Sequence, residues 1–208
     1  MDDTMNQPEI HSPGRKNAGR MRSEARKQQV GRRGWLQAAR VALIRDGIAG
    51  VEIGKLARRL KVTRGGFYWF FNSRQQLLDE LLAEWQSENT AAFESVLKAS
   101  AHNGLMEFNA VVDVWVSEER YNPAWDAAVR DWARISPKVA SAVRRTDERR
   151  IAILHQIFLD MGCKGDEALV RARICYFHQV GYYALEFREP RSERLRLLPT
   201  YIRLLTGR

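Results

Sequence analysis

The sequence predicts an all-α fold: a three-helix helix-turn-helix unit at the N-terminus, then a second, wholly helical domain, about nine helices in all. Three observations carry this. Apolar residues recur three and four positions apart, the spacing of one helix face, and no stretch alternates convincingly with the period of two that a half-buried strand needs. Helix starts and stops are punctuated: Asn122-Pro123 and Ser136-Pro137 each set a capping side chain before a proline at the first helical position, and Gly47 and Gly162 follow periodic runs. Two short periodic segments, one ending at Leu60 and one opening after Thr63, are separated only by a tight link at Lys61-Val62.

Residues 1–30 are rich in Gly, Pro, Asn, Gln, Arg and Lys and nearly empty of large apolar side chains, so they are expected to form a disordered basic arm. Eight Lys/Arg and one acid, Glu24, fall between Arg15 and Arg33, which suits either a solubilising tail or an arm lying on phosphate or in a minor groove. A first helix over 32–46 carries Trp35, Ala38, Ala39, Ala42 and Leu43 on one face and stops at Gly47. A second, of about two turns, is marked by Ile53, Leu56, Ala57 and Leu60, with Lys55, Arg58 and Arg59 on its outer side. Thr63 is a suitable N-cap for a third helix.

That third helix holds five consecutive aromatics, residues 67–71. At about 100° per residue they go right round the axis, so a small domain cannot bury them all. Phe67, Phe70 and Phe71 share the arc that packs inward, while Arg64, Gly65, Tyr68 and Trp69 share the opposite one. Gly65 and Gly66 each cost a helix interior about 1 kcal/mol relative to alanine, so something must come close to that backbone. The phase suggests packing against the second helix for Gly66 and close approach of a phosphate or base edge for Gly65. Ser73 and Gln76 have capping-box spacing at the start of a long fourth helix through Leu77, Leu78, Leu81, Leu82 and Trp85. Arg74 puts a cation at the positive end of that helix's dipole, a poor arrangement for stability and a good one for a docking anion.

The formal net charge is +9, and it is concentrated: residues 1–74 hold 16 Lys+Arg against 6 Asp+Glu, and residues 75–208 hold 18 against 19. A basic module joined to a neutral carrier points to an anionic polymer as partner. Cys163 and Cys175 form no disulfide framework or CxxC motif, and no apolar run reaches the roughly 18–20 residues of a membrane span, so a soluble protein of the reducing cytoplasm is expected. No phosphate loop, HExxH or GxSxG is present, and the four histidines are scattered; neither an enzyme nor a cofactor is expected. Cys175 and His178 stand one helical turn apart and Cys163 is not far away in sequence, but no fourth ligand is evident, so no metal site is expected.

In the carrier half, His102-Asn103-Gly104 breaks the chain before a helix over 105–116. Helices follow after Pro123 and Pro137, the latter ending at Met161-Gly162; another spans 167–187, and a last stretch over 192–206 should be kinked or split by Pro199. Asp131 with Arg130, or Asp147 with Arg150, are placed for ion pairs. Trp85, Phe93, Phe108, Trp115, Trp125, Trp132, His155, Phe158 and Tyr176 are candidates to line an apolar pocket, each also able to serve as plain core. Ile174, Phe177, His178, Gly181, Tyr182 and Leu185 form a stripe, extended on the last helix by Leu198, Tyr201, Ile202 and Leu205.

Residues 34–85 resemble the DNA-binding domain of the tetracycline-repressor (TetR) family of bacterial transcriptional regulators, on Gly47, Ile53, Leu56-Ala57, Val62-Thr63, Gly65, the aromatic run, Ser73-Arg74 and Leu77-Leu78. Residues 127–133 and 147–151 are more weakly similar to the C-terminal domain of one branch of that family. The resemblance implies a homodimer with a helix-turn-helix DNA-binding domain at 31–77 and a helical ligand-binding and dimerisation domain at 78–208. It also implies a repressor on a near-palindromic double-stranded DNA operator, released by a small-molecule effector. Tyr68 and Arg74 would grip phosphates with help from Thr63, while Arg64, Gly65, Gly66 and Trp69 would lie nearest the bases. Lys55 joins them as a candidate contact, and the stripe on the last two helices would pair with its two-fold mate. Two positions depart from the family pattern: Glu52 stands where a Ser or Thr usually opens the second helix, and Lys61 where a turn glycine is common. A binder of nucleic acid without sequence preference is the alternative that the basic charge leaves open.

Overall fold

A computed structural model describes residues 31–99, 103–187 and 189–207; the basic arm over 1–30 lies outside them. Among the described residues every regular element is helical: α1 (Arg32–Asp46), a 3₁₀ turn (Ile48–Gly50), α2 (Ile53–Leu60), a 3₁₀ segment (Arg64–Trp69), α3 (Arg74–Ala99), α4 (Gly104–Ser117), α5 (Pro123–Ala133), α6 (Pro137–Asp160), α7 (Asp166–Ala184) and α8 (Arg191–Thr206). With the 3₁₀ segment counted beside the eight α-helices, the expected nine are present.

Helix boundaries follow local chemistry. The side chains of Asn103, Asn122 and Ser136 accept from the backbone N–H groups of Met106, Trp125 and Val139, each satisfying one orphan donor of the first turn. Pro123 and Pro137 follow at positions whose N–H would have had no intrahelical partner. Gly47 leaves α1 at φ 66°, a conformation that glycine adopts without strain. Three expectations need correction. The segment after Thr63 is 3₁₀ rather than α, in keeping with two adjacent glycines that weaken α-helix propagation. α7 ends at Ala184, short of residue 187, where Glu186 turns to φ 51°. α8 runs through Pro199 unbroken. Pro199 is exposed, so the Leu195 carbonyl that it leaves without a backbone donor can be served by water.

Two buried clusters organise the packing. One joins Trp35, Ala39 and Leu43 of α1 to Leu56 and Ala57 of α2, the aromatics Phe67 and Phe71, and Leu77, Leu81 and Trp85 of α3, and continues without a break into Trp125, Val129 and Trp132 of α5. The other is built from Phe93 of α3, Phe108 and Trp115 of α4, Ile157 and Phe158 of α6, and Ala172 and Tyr176 of α7. α3, about 39 Å long at 1.5 Å per residue, passes through both. Among the described residues no helix is long and apolar enough to cross a membrane.

Candidate nucleic-acid interface

The aromatic run divides as its phase predicts. Phe67 and Phe71 are fully buried, their rings stacked 5.2 Å apart, and the Trp35 ring meets Phe67 edge-on, also at 5.2 Å. Phe70 is half-buried against the same cluster. Tyr68 is 52% exposed and Trp69 83% exposed, so a phenol and an indole stand in solvent on a segment whose other side is anchored in core. Arg32 fastens the end of this segment: it donates to the Phe70 carbonyl, pairs with Glu80 of α3 and lies 4.6 Å from the centre of the Phe71 ring. The exposed pair is therefore held on a rigid mount, which is what precise reading of a partner requires.

Thr63, Arg64 and Gly65 are exposed beside Tyr68 and Trp69, and Gly66 is half-exposed. Thr63 occupies the N-cap position, but its hydroxyl makes no capping bond, so it is free to meet a partner; the expected cap is not formed. The two glycines are not required by the fold. Neither has positive φ, and a Cβ built at either would meet only the Thr63 hydroxyl, at 3.9 Å from Gly65 and 4.0 Å from Gly66. Packing against α2, the reason expected for Gly66, is thus not the reason. Both leave bare backbone on the outer surface, where close approach by something outside the chain is the remaining physical use.

The cations around this face are not equally free. Lys55 donates to Glu52 at 2.8 Å and to the Ala49 carbonyl at 3.4 Å, so the glutamate at the head of α2 gives no capping bond and instead neutralises a neighbouring lysine. The Lys55 ammonium in turn holds the Glu52 carboxyl below the usual carboxylate range. Lys61 sits in the left-handed region, φ 56° and ψ 38°, a conformation costing a side-chain-bearing residue about 1–2 kcal/mol. It receives the end of α2 through its N–H to the Arg58 carbonyl at 3.1 Å. Arg58 and Arg64 are exposed. Arg74 is committed inward: Nε donates to the Val51 carbonyl at 2.6 Å and Nη2 to the Ile48 carbonyl at 3.0 Å, tying the head of α3 to the turn before α2. A cation at the positive end of α3 is offset by these two carbonyl dipoles.

The aromatic pocket candidates separate in the carrier half. Trp85 and Trp125 are fully buried, and Trp132 nearly so, in the cluster shared with the helix-turn-helix. Phe158 is core against Phe108, ring centres 5.5 Å apart, and His155 is half-buried on α6. The Tyr176 hydroxyl donates to Asp147 at 2.6 Å within a charged network. Of the whole set, Phe108 and Trp115 alone line the cleft between α4, α7 and α8. That cleft takes its other walls from the stripe residues His178, Tyr182, Leu198, Tyr201, Ile202 and Leu205. The remaining stripe members face out: Ile174, Phe177 and Leu185 are exposed, and a Cβ at Gly181 would meet nothing within 4 Å.

The network around Tyr176 was missed by sequence reasoning, because its partners are far apart along the chain. Asp126, buried on α5, accepts from Arg150 of α6 at 2.9 Å and from Arg130 at 2.8 Å; Arg130 reaches on to Asp147 at 2.6 Å. Asp131 pairs with Arg134 rather than Arg130, and Arg150 with Asp126 rather than Asp147. Burial works to raise the Asp126 carboxyl, but Arg150 and Arg130 outweigh it and hold the group below its ordinary value. The single hint was two arginines at apolar-face positions of α5 and α6. Among the described residues no group of three or more His, Cys, Asp and Glu is placed to hold a metal ion.

Residues 36–81, from α1 into α3, match the model of the family described as bacterial regulatory proteins, tetR family. No curated protein matches the chain.

Proposed function

We propose that this chain, whose residues 36–81 match the model of the tetR-family bacterial regulatory proteins, is a homodimeric repressor that binds a near-palindromic DNA operator and is released by a small molecule. The observation that carries the DNA reading is the exposed Tyr68–Trp69 pair on a segment anchored by Phe67 and Phe71, with two bare glycines, Thr63 and Arg64 beside it. Arg64, Gly65, Gly66 and Trp69 meet the bases; Tyr68, Thr63 and, once released from Glu52, Lys55 meet phosphates. Arg74 acts mainly from behind, holding the α2 turn against α3.

The dimer reading is supported by the outward apolar face of α7 and its C-cap, where Ile174, Phe177 and Leu185 stand in solvent, joined by Leu195 and Leu204 of α8. A two-fold dimer that presents both recognition segments to one duplex would read half-sites about one DNA turn, roughly 34 Å, apart. Selection of bound duplexes from a random pool tests the proposal. An enriched motif with two inverted half-sites is the expected outcome. Retention without any enriched sequence would refute operator recognition and leave a general nucleic-acid binder.

A further inference from the structure

The cleft between α4, α7 and α8 has a construction of its own. α8 lies across it and is fastened at both ends: Arg194 near its start donates to the Trp115 carbonyl at 3.2 Å and to Glu118 at 3.0 Å, and Arg171 of α7 donates to the Leu205 carbonyl near its finish. Between these pins a gap of about 70 Å³ remains, floored by the buried Phe108, Trp115 and Cys175 and roofed by Leu198, Tyr201 and Ile202. Thr206 is the sole buried residue among those described in α8, so the helix is seated as a strap and not as core.

The polar groups of the wall indicate what the cleft would take. The Gln179 amide nitrogen is buried and has no hydrogen-bond partner, a donor left waiting in a largely apolar site. Partial burial lowers the His178 pKa and so favours the uncharged imidazole, and its ring lies 4.9 Å from Tyr201. The Arg194 charge is occupied by Glu118, and the Glu189 carboxylate also lines the cleft. An anionic ligand would therefore find no free counter-charge and would face a like charge. Aromatic walls, a neutral imidazole and one unpaired N–H call for a flat, uncharged molecule with one acceptor.

We propose that the cleft beneath α8 binds a compact uncharged aromatic compound bearing a hydrogen-bond acceptor, such as an aryl ketone or amide, with the acceptor on Gln179 and the ring between Trp115 and Tyr201. A benzene-sized ligand fits a dry cavity of about 150 Å³, twice the present gap, so binding lifts α8 between its two pins. The proposal supplies a site and a chemistry for the effector of the regulatory reading, and rests on that reading only for its effect on DNA.

Fluorine NMR titration of the full chain with para-fluoroacetophenone tests it, with 1-ethyl-4-fluorobenzene and para-fluorobenzoate as comparators. The ketone binds best, the hydrocarbon roughly fivefold more weakly for want of one hydrogen bond, and the carboxylate weakest. Gln179→Leu brings the ketone down to the affinity of the hydrocarbon and leaves the hydrocarbon unchanged, while Val112→Phe, filling the cleft wall, removes both; circular dichroism confirms that each variant is folded. No binding of any probe at low-millimolar concentration, preference for benzoate, or binding indifferent to both variants overturns the proposal. DNA affinity with and without the ketone is read separately: a ketone that binds as predicted but leaves DNA affinity unchanged sinks the effector role and spares the site.

Discussion

Replacing Gly65 and Gly66 by alanine separates what the fold needs from what the partner needs. Neither glycine has positive φ, and the new methyl groups would sit at ordinary van der Waals distance, 3.9 Å and 4.0 Å, from one hydroxyl. With no strain introduced, each substitution restricts the unfolded chain and stabilises the protein by about 0.4–1 kcal/mol. Against DNA the sign reverses. A methyl forced into a close-packed contact costs about 1–3 kcal/mol, roughly five- to a hundredfold in affinity. Urea denaturation and fluorescence anisotropy on the selected duplex measure the two effects on one preparation. The expected result is a more stable protein that binds more weakly. Unchanged DNA affinity in the double variant would refute the close-approach reading, and a loss of stability would return the glycines to internal packing.

Arg74→Ala removes two charge-assisted bonds to the Val51 and Ile48 carbonyls and is expected to destabilise by about 2–3 kcal/mol. The slope of log affinity against log salt should stay as in the parent; a slope shallower by about 0.9 would place its guanidinium on a phosphate after all. Asp126→Asn strands the buried Arg150 charge at a cost of about 3–5 kcal/mol, whereas Asp126→Leu with Arg150→Met should cost less, as denaturation of all three will report. Because the Asp126 carboxyl is held below its ordinary value, its contribution is complete above the unfolded pKa of about 3.9 and is lost as pH falls through the folded one. Stability of the parent should therefore drop more steeply below about pH 4 than that of Asp126→Asn. Phe177→Asp, on a residue 59% exposed, should convert dimer to monomer in sedimentation equilibrium with helix content intact; a dimer that persists would move the interface elsewhere.

How much was legible follows from how local each signal is. The caps at Asn122 and Ser136, the glycine stop at Gly47 and the buried phase of Phe67 and Phe71 are properties of neighbours in sequence, and all stand as expected. The 3₁₀ winding of Arg64–Trp69 was not readable, because two glycines weaken an α-helix without saying what replaces it. The lining of the cleft under α8 was not readable for a different reason. Aromatic identity marks large side chains but not which void they border, so Trp85 and Trp125 proved core. His178, Tyr182, Tyr201 and Ile202, grouped with one stripe, instead look across at Trp115. Which edge of a wide apolar stripe meets a neighbouring helix depends on the crossing between helices, and that is a tertiary quantity. The Asp126–Arg150 pair, 24 residues apart, is illegible on the same ground.

The shared core gives the carrier half a mechanical hold on the DNA-facing half. Trp125, Val129 and Trp132 of α5 lie in one buried cluster with Trp35 and Leu43 of α1, and the Arg40 guanidinium sits 3.6 Å from the centre of the Trp125 ring. Asp126 and Arg130 of the same helix enter the charged network with Asp147, Arg150 and Tyr176. On α7, Cys175 floors the cleft beneath α8 while its neighbour Tyr176 donates to Asp147 at 2.6 Å. The two residues point into different sites from adjacent positions of one helix. A displacement of α7 caused from the cleft must therefore either break the Tyr176–Asp147 bond, leaving buried polar groups unpaired, or carry α5 with it. If α5 moves, α1 moves, because close-packed side chains leave no slack between them. α1 bears Arg32, which holds the Phe70 carbonyl at the end of the Arg64–Trp69 segment. On the regulatory reading proposed above, the stiffness that presents Tyr68 and Trp69 to DNA is the same stiffness through which a small change under α8 would reach them.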